Sequence, residues 1–163
     1  MNASGVKTNV TRLLTAAGLS FRTVEYEVDE NDLSGVHVAR TLGLSPDQVF
    51  KTLVLKGEKV GYFVCCVPVN AEVDLKKAAR AAGDKKAAMI PMKDLKEVTG
   101  YIRGGCSPVG MKKPFPTFLD ETAVLFDEIY LSAGQRGAQI VIAPELLTEY
   151  LHLTQADLTK ENR

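Results

Sequence analysis

The sequence predicts an α/β fold in which one domain holds a mixed β-sheet flanked by helices. Segments with helical spacing of apolar residues interleave with β-rich segments along the chain, which is the pattern of α/β proteins. Two β-rich segments, 49–55 and 59–69, are separated by Lys56-Gly57-Glu58, a hairpin signal that brings antiparallel pairing into the sheet. A length of 163 residues and a hydrophobic content of 45% fit one domain with its own core.

The first quarter of the chain predicts two helices and a strand. Apolar residues recur at helical spacing over 7–17, and Gly18 ends that helix. Large residues alternate over 21–28 as in a strand, and a second helix is predicted over 32–42. Ser45-Pro46-Asp47-Gln48 has the cap and the proline of a tight turn. It leads into the first long strand.

The chain beyond the hairpin predicts three more helices and three more strands. Gly83 closes the first of these helices, and Pro144 lies in the first turn of the last one. The predicted helices cover 74–82, 92–99 and 144–150, and the predicted strands cover 116–119, 123–131 and 139–143. Residues 160–163 are expected to form a frayed tail.

The composition restricts the class of partner and cofactor. Twenty basic and 20 acidic residues give a formal net charge of zero, whereas strong nucleic-acid binders are usually basic. Any RNA contact should therefore be local, and DNA is not an expected partner. Three cysteines and two histidines fit neither a disulfide framework nor a zinc spacing, so no metal or cofactor is expected. No apolar run resembles a signal peptide or a membrane span, which favours a cytoplasmic protein without membrane contact.

A glycine-rich loop over 100–113 is the most informative segment. It contains four glycines and a proline, which exclude a regular helix. It is either a tight turn between strands or a backbone cradle whose N–H groups bind an anion or a developing oxyanion. Cys106 in this loop has no paired base, and Ser107 lacks the context of a nucleophile elbow.

Two cations outside that loop also have two interpretations each. Lys51 interrupts an apolar strand, so it is either an edge residue or a cation that points into a cleft. Its neighbour Thr52 should face the opposite side and support packing. Arg136 lies in a glycine-flanked loop, which is either a hairpin connection or another wall of the same cleft.

A series of short motifs, in this order, carries a family resemblance. The motifs are Lys7-Thr8-Asn9, Phe50-Lys51-Thr52-Leu53-Val54-Leu55, Val67-Pro68-Val69, Asp74-Leu75-Lys76-Lys77-Ala78-Ala79, Thr99-Gly100-Tyr101, Gly104-Gly105-Cys106-Ser107-Pro108-Val109-Gly110, Ile129-Tyr130-Leu131-Ser132-Ala133-Gly134 and Arg136-Gly137. Together they resemble the YbaK family of free-standing aminoacyl-tRNA deacylases, which are homologous to the editing domain inserted in bacterial prolyl-tRNA synthetase. The resemblance covers about 7–159 of a predicted single domain over 1–163.

The resemblance implies a barrel-like mixed sheet and a set of site residues. The important lysine of the family falls at Lys51, its first-strand tyrosine at Tyr26 and its loop glycine at Gly104. An aspartate of some members falls at Gln139, so an acidic role there is not expected. Ser107, Pro108 and Arg136 are further predicted substrate-binding residues. Relatives commonly have a branched apolar residue at position 106, which argues against Cys106 as a shared catalytic group.

The resemblance also implies a mechanism in which the protein supplies no nucleophile. The cysteine thiol of the substrate would attack its own ester and release the tRNA as a thiolactone forms. The Gly104 and Gly105 amides would stabilise the oxyanion, Lys51 would anchor the carbonyl or the terminal phosphate, and Tyr26 would shape the pocket. The expected substrate is the aminoacylated 3′ end of cysteine-mischarged proline tRNA, with prolyl-tRNA synthetase as a further partner. The alternatives are an alanyl-tRNA(Pro) deacylase and a non-catalytic module that binds tRNA or a synthetase.

Overall fold

A computed structural model describes residues 5–161, in which five helices and eight strands interleave. The helices are α1 (Asn9–Ala16), α2 (Gly35–Thr41), α3 (Leu75–Ala81), α4 (Leu95–Thr99) and α5 (Pro144–Leu151). The strands are β1 (Arg22–Glu25), β2 (Phe50–Gly57), β3 (Gly61–Pro68), β4 (Ala87–Met89), β5 (Thr117–Asp120), β6 (Ile129–Ser132), β7 (Ala138–Ile142) and β8 (Thr154–Ala156). Short 3₁₀ turns lie at Pro46–Gln48, Met92–Asp94 and Glu121–Leu125.

The strands form two sheets that meet at one point. One sheet has the strand order β4-β2-β3-β5-β8 and the other has the order β1-β7-β6. The β2–β3 pair is antiparallel, whereas β3–β5 and β5–β8 are parallel. A parallel bridge between Val49 and Tyr130 joins the start of β2 to β6. The prediction of a mixed α/β fold is confirmed, and the barrel-like sheet takes the form of two joined sheets.

Strand β3 is buried on both of its faces. Side chains on successive residues of a strand point to opposite faces, and β3 places Val64 and Cys66 in the largest core cluster and Phe63 and Cys65 in a second one. The thiols of Cys65 and Cys66 therefore act as small apolar side chains. Since β2 pairs with β3 along its whole length, the position of β2 is set by a strand that cannot shift without exposing one of the two clusters.

Helix α2 begins later than predicted, and its first residue contacts the end of β3. The side chain of Ser34 caps the helix by accepting a hydrogen bond from the His37 N–H at 3.2 Å. A Cβ atom on Gly35 would overlap the Val69 side chain, lying 2.7 Å from its Cβ atom. The absent side chain lets the helix start lie against the sheet. The prediction of a helix from residue 32 was wrong because Asp32 binds Ser34 instead, at 2.6 Å between Oδ1 and Oγ.

The predicted strand over 123–131 was wrong at its start. The buried Asp120 accepts a hydrogen bond from the Thr122 hydroxyl at 2.6 Å and turns the chain into the 3₁₀ segment. The other carboxylate oxygen of Asp120 accepts the Leu158 N–H at 2.9 Å. Leu125 is consequently 75% exposed in that turn.

The other differences between the predicted and the observed secondary structure concern short elements and the ends of elements. Strands β4 and β8 were missed because three residues are too few to show alternation. The hairpin turn lies at 58–60, with Gly57 still paired to Gly61. Lys160 donates its N–H to the Glu72 carbonyl at 2.9 Å, so the predicted fraying does not start there, and 162–163 lie outside the described residues. No helix in the described part of the chain is long and apolar enough to cross a membrane.

We expect Gly35→Ala to destabilise the protein by about 1–3 kcal/mol, the usual cost of overpacking. The added methyl group must displace either Val69 or the start of α2. Urea denaturation measures the change, with the exposed Val36→Ala as the matched control. Unchanged stability in Gly35→Ala would show that the contact between α2 and β3 is loose.

Candidate functional site

A cavity of about 300 Å³ lies where the two sheets meet. The start of β2 forms one wall, the start of α2 a second, and the glycine-rich loop a third. The residues that line it are Tyr26, Leu33, Ser34, Gly35, Val38, Val49, Phe50, Lys51, Thr52, Leu53, Val69, Met92, Leu95, Arg103, Gly104, Cys106, Ser132 and Gln139. Nine of these eighteen residues have an aliphatic, aromatic or thioether side chain, and Cys106 adds a thiol, so the cavity is mainly apolar.

Four of the predicted site residues meet in this cavity. Lys51, Tyr26, Gly104 and Gln139 all line it, although they come from β2, the end of β1, the glycine-rich loop and β7. The main chain places Tyr26 there, because its N–H continues the β1–β7 ladder by donating to the Gly137 carbonyl at 2.9 Å. The cleft interpretation of Lys51 therefore agrees with its position.

The Lys51 ammonium group lies half-buried in this mainly apolar setting. Burial lowers the pKa of Lys51, and the more distant charge of Glu72 opposes that shift. Among the described residues, no carboxylate lies within ion-pair distance of its ammonium group. A cation without an anionic partner is available to a ligand that brings negative charge or a carbonyl oxygen.

Gly104 presents a free backbone donor at the cavity wall. Its φ of +86° is one that glycine adopts without strain, and its N–H has no acceptor among the described residues. A Cβ atom at this position would lie 3.3 Å from the Arg136 side chain. Arg136 is held in place because its Nε donates to the Arg103 carbonyl at 2.8 Å and its Nη1 lies 3.4 Å from a Glu30 carboxylate oxygen. It supports the loop from behind and does not line the cavity.

Three other predicted loop residues also lie outside the cavity lining. The Gly105 N–H donates to the Ile102 carbonyl at 3.0 Å, so in this conformation it is not free to bind an oxyanion. The buried Ser107 hydroxyl accepts the Val109 N–H at 3.1 Å. Pro108 is buried beside it. This part of the loop is a tight turn, and of the two glycines only Gly104 keeps an N–H that could serve the predicted cradle.

Gln139 lines the cavity and has a buried acceptor without a partner in the described part of the chain. The residue is 6% exposed, and its Oε1 is buried without a hydrogen-bond partner among the described residues. A buried acceptor that stays unpaired costs about 1–3 kcal/mol. The geometry therefore favours a ligand that supplies an N–H or O–H donor at this position.

The cavity contains no conventional nucleophile and base pair. No histidine, aspartate or glutamate is among the residues that line it. Burial raises the pKa of the Cys106 thiol to about 12, so the thiol stays protonated and weakly nucleophilic near neutral pH. His37 lies outside the lining, with its Nδ1 3.7 Å from an Asp32 carboxylate oxygen.

Sequence reasoning missed several residues of the lining. Thr52 lines the cavity while its hydroxyl also lies 3.9 Å from the Cys66 sulfur, so it supports packing and reaches the site as well. Ser34 and Gly35 were hidden inside a helix that was predicted to start too early. The serine cap before an apolar helix is the signal that would have revealed them.

The fold and the site together define an α/β protein with a mainly apolar cavity, which is lined by a lysine and by a backbone N–H that has no acceptor in the described part of the chain. The chain matches the family of the aminoacyl-tRNA editing domain over residues 33–150. It belongs to this family, and its activity is in the class of aminoacyl-tRNA deacylation. The family that the motifs predicted is thereby confirmed.

Three relatives illustrate the similarity. The chain is 46% identical over 153 residues to EbsC of Enterococcus faecalis, a candidate Cys-tRNA(Pro)/Cys-tRNA(Cys) deacylase, covering 94% of this chain and 93% of EbsC. A crystal structure of a candidate trans-editing enzyme for prolyl-tRNA synthetase superposes with a TM-score of 0.81 at 27% identity, covering 96% and 100% of the two chains. The proline–tRNA ligase of Thermosipho melanesiensis is 32% identical over 99 residues, which are 53% of this chain and 17% of the ligase.

We expect Lys51→Met to raise the thermal unfolding midpoint by about 1–3 °C, since it removes a charge that burial penalises. At a pH below the lowered pKa of Lys51, the side chain is charged in the folded state, and folding carries the full free-energy cost of burying that charge. The penalty disappears as pH rises from that pKa to the ordinary value of 10.5, so the difference between the two proteins should shrink at high pH.

Calorimetry at pH 7 and pH 10 measures this difference, with Lys59→Met in the exposed turn as the control. A lower midpoint for Lys51→Met than for the natural protein at pH 7 would contradict the assignment of Lys51 as a stability cost.

Proposed function

We propose that this protein hydrolyses cysteine from mischarged proline tRNA after release of the tRNA from the synthetase. The observation that carries the proposal is a cavity that holds a cation and a backbone donor but no histidine, aspartate or glutamate among its lining residues. Such a site can orient an ester and stabilise negative charge. No histidine or carboxylate lines it to act as a general base. Because we assign Lys51 to charge stabilisation, we assign the nucleophile to the substrate.

The thiol of a cysteinyl ester can act as that nucleophile. A thiol with a pKa near 8.5 is a few per cent thiolate at neutral pH without any base. Its sulfur attacks the ester carbonyl carbon, a C–S bond forms, and the bond from that carbon to the ribose oxygen breaks. The ribose oxygen leaves with a proton, and water then opens the thiolactone to free cysteine.

Two groups are proposed to stabilise the oxyanion in this step. They are the Gly104 N–H and the Lys51 ammonium, which have no partner among the described residues and belong to residues that line the cavity. Because the Gly105 N–H is already bonded, we assign the backbone donor to Gly104 alone. Loss of one oxyanion donor typically costs about 10²–10³ in rate.

Gln139 and Tyr26 are proposed to orient the substrate. The ammonium group of the substrate's amino acid is a donor that satisfies the buried Gln139 Oε1. This contact holds the amino acid at one end while Lys51 holds the carbonyl end. Tyr26 closes the cavity between them.

The proposed partners are the acceptor end of tRNA and prolyl-tRNA synthetase. The match to part of a proline–tRNA ligase supports a role beside that enzyme, and the cytoplasm is the proposed location because tRNA is charged there. We further propose that one domain over 1–163 carries the activity.

A panel of aminoacyl-tRNAs tests the proposal. On one proline tRNA, the deacylation rate for cysteine should exceed the rates for serine and alanine by at least about 100-fold, since neither of these carries a thiol.

Lys51→Ala should reduce the rate of cysteine release by about 10²–10³ if the ammonium stabilises the oxyanion. A preference for alanyl-tRNA would replace the thiol mechanism with an alanine-editing activity, and tRNA binding without deacylation would indicate a binding module.

Cys106→Ala should keep the deacylation rate within about twofold, because a thiol with a pKa of about 12 is not the nucleophile. Single-turnover kinetics on cysteinyl-tRNA gives the comparison, with the buried Cys65→Ala as a control for general effects of removing a thiol. Complete loss of activity in Cys106→Ala alone would mean that Cys106 attacks the ester.

A further inference from the structure

A second hollow continues from the reaction cavity past Lys51. It has a volume of about 650 Å³ and shares Lys51 and Leu53 with the cavity. Its other lining residues come from the start of α3, from β4 and from the end of the chain: Glu72, Val73, Asp74, Leu75, Lys76, Met89 and Lys160. We call these residues together with Lys51 and Leu53 the α3 groove. A group bonded to an acyl group that is held at Lys51 would have this groove as a neighbour.

The α3 groove combines an apolar surface with an unpaired cation. Leu75 is 39% exposed and Met89 is 42% exposed, although side chains of this kind are usually covered. Leu53 lies between them and the cavity. Such a surface suits the flat face of a nucleobase, because every base presents an apolar π-face.

Lys76 is a charged residue of the groove whose side chain can bind a ligand, because the neighbouring charged side chains already have partners. The Asp74 carboxylate accepts the backbone N–H groups of Lys76 and Lys77 at 2.9 and 3.1 Å. Glu72 pairs with Lys160 at 3.1 Å. The exposed Lys76 ammonium has no partner among the described residues, so it can bind a phosphate.

The region beyond Lys160 limits how much nucleic acid the groove accepts. A neighbouring hollow shares Glu72 and Lys160 with it and is also lined by Asp47, Asp120, Asp157 and Glu161, with Lys77 as its one further cation in the described chain. This acidic surface repels a polyanion. Two of these carboxylates pair with Lys77 and Lys160, and the acidic side chains still outnumber the basic ones. This direction is therefore the less favourable one for an RNA strand.

We propose that the α3 groove binds the terminal nucleotide of the substrate, a nucleoside with a 5′-phosphate. This inference rests on the proposed function. The base packs on Leu75 and Met89, the 5′-phosphate contacts Lys76, and the ribose lies at Lys51 so that its ester enters the cavity. The rest of the acceptor strand turns away from the acidic hollow.

Binding of a stable substrate analogue tests the groove without requiring turnover. The probe is 3′-deoxyadenosine with cysteine attached through a 3′-amide, prepared with and without a 5′-phosphate. At low ionic strength the phosphate should tighten binding about threefold, as a single exposed ion pair does. Lys76→Ala should remove this advantage and leave binding of the unphosphorylated probe unchanged. Isothermal titration calorimetry gives both affinities.

Three further variants identify the direction from which the nucleotide arrives. Lys59→Ala, at the far end of the β2–β3 hairpin, removes the same charge and should change neither affinity. Leu75→Ser should weaken both probes by a similar factor. Lys96 lies on α4 next to Leu95, which lines the cavity. Loss of the phosphate advantage in Lys96→Ala instead of in Lys76→Ala would overturn the proposal. Absence of any phosphate advantage in the natural protein would overturn it as well.

Intact tRNA separates this inference from the proposed function. The KM for cysteinyl-tRNA should rise about threefold in Lys76→Ala with kcat unchanged, and the salt dependence of binding should weaken by about 0.7 in the log–log slope, as for one lost phosphate contact on a single strand. If the probes behave as expected but cysteinyl-tRNA is not hydrolysed, the function is wrong and the groove stands. If cysteinyl-tRNA is hydrolysed and Lys76→Ala changes neither KM nor the slope, the groove assignment is wrong.

Discussion

The half-buried Lys51 ammonium is the feature on which the arrangement of the site depends. Burial in a mainly apolar cavity disfavours the charge, and no carboxylate of the lining offsets that cost. Strand β2 nevertheless keeps Lys51 in place because it is paired along its length with β3, which is buried on both faces. The rigidity of the sheet thus maintains a cation that its surroundings do not stabilise, which is a common property of functional sites.

The backbone of the glycine-rich loop contributes more to the site than its side chains do. Gly104 has a positive φ and a free N–H, whereas the next residue, Gly105, uses its N–H to close the turn. Cys106 faces the cavity with a protonated thiol. A substrate that brings its own thiol needs orientation and charge stabilisation, and one amide, one ammonium and one amide oxygen can supply these.

Much of this was predictable from the sequence, because the strongest signals are local. The long strands, the hairpin and the interruption of an apolar strand by Lys51 require only periodicity and composition. The roles of Gly105 and Ser107 were not predictable, because neighbouring loop residues have the same sequence signature and differ only in which hydrogen bonds they make. The place of Arg136 behind the loop depends on contacts with Arg103 and Glu30, which are distant in sequence.

Removing the thiol from the substrate shows whether the nucleophile belongs to the substrate. The single-turnover rate of the natural protein is measured on cysteinyl-tRNA and on the same tRNA carrying S-methylcysteine, which has nearly the same size and no thiol. Methylation should lower the rate by at least about 100-fold while binding is retained, because no histidine or carboxylate lines the cavity to activate another nucleophile. Equal rates on the two substrates would contradict it and would require a nucleophile from the protein or from water.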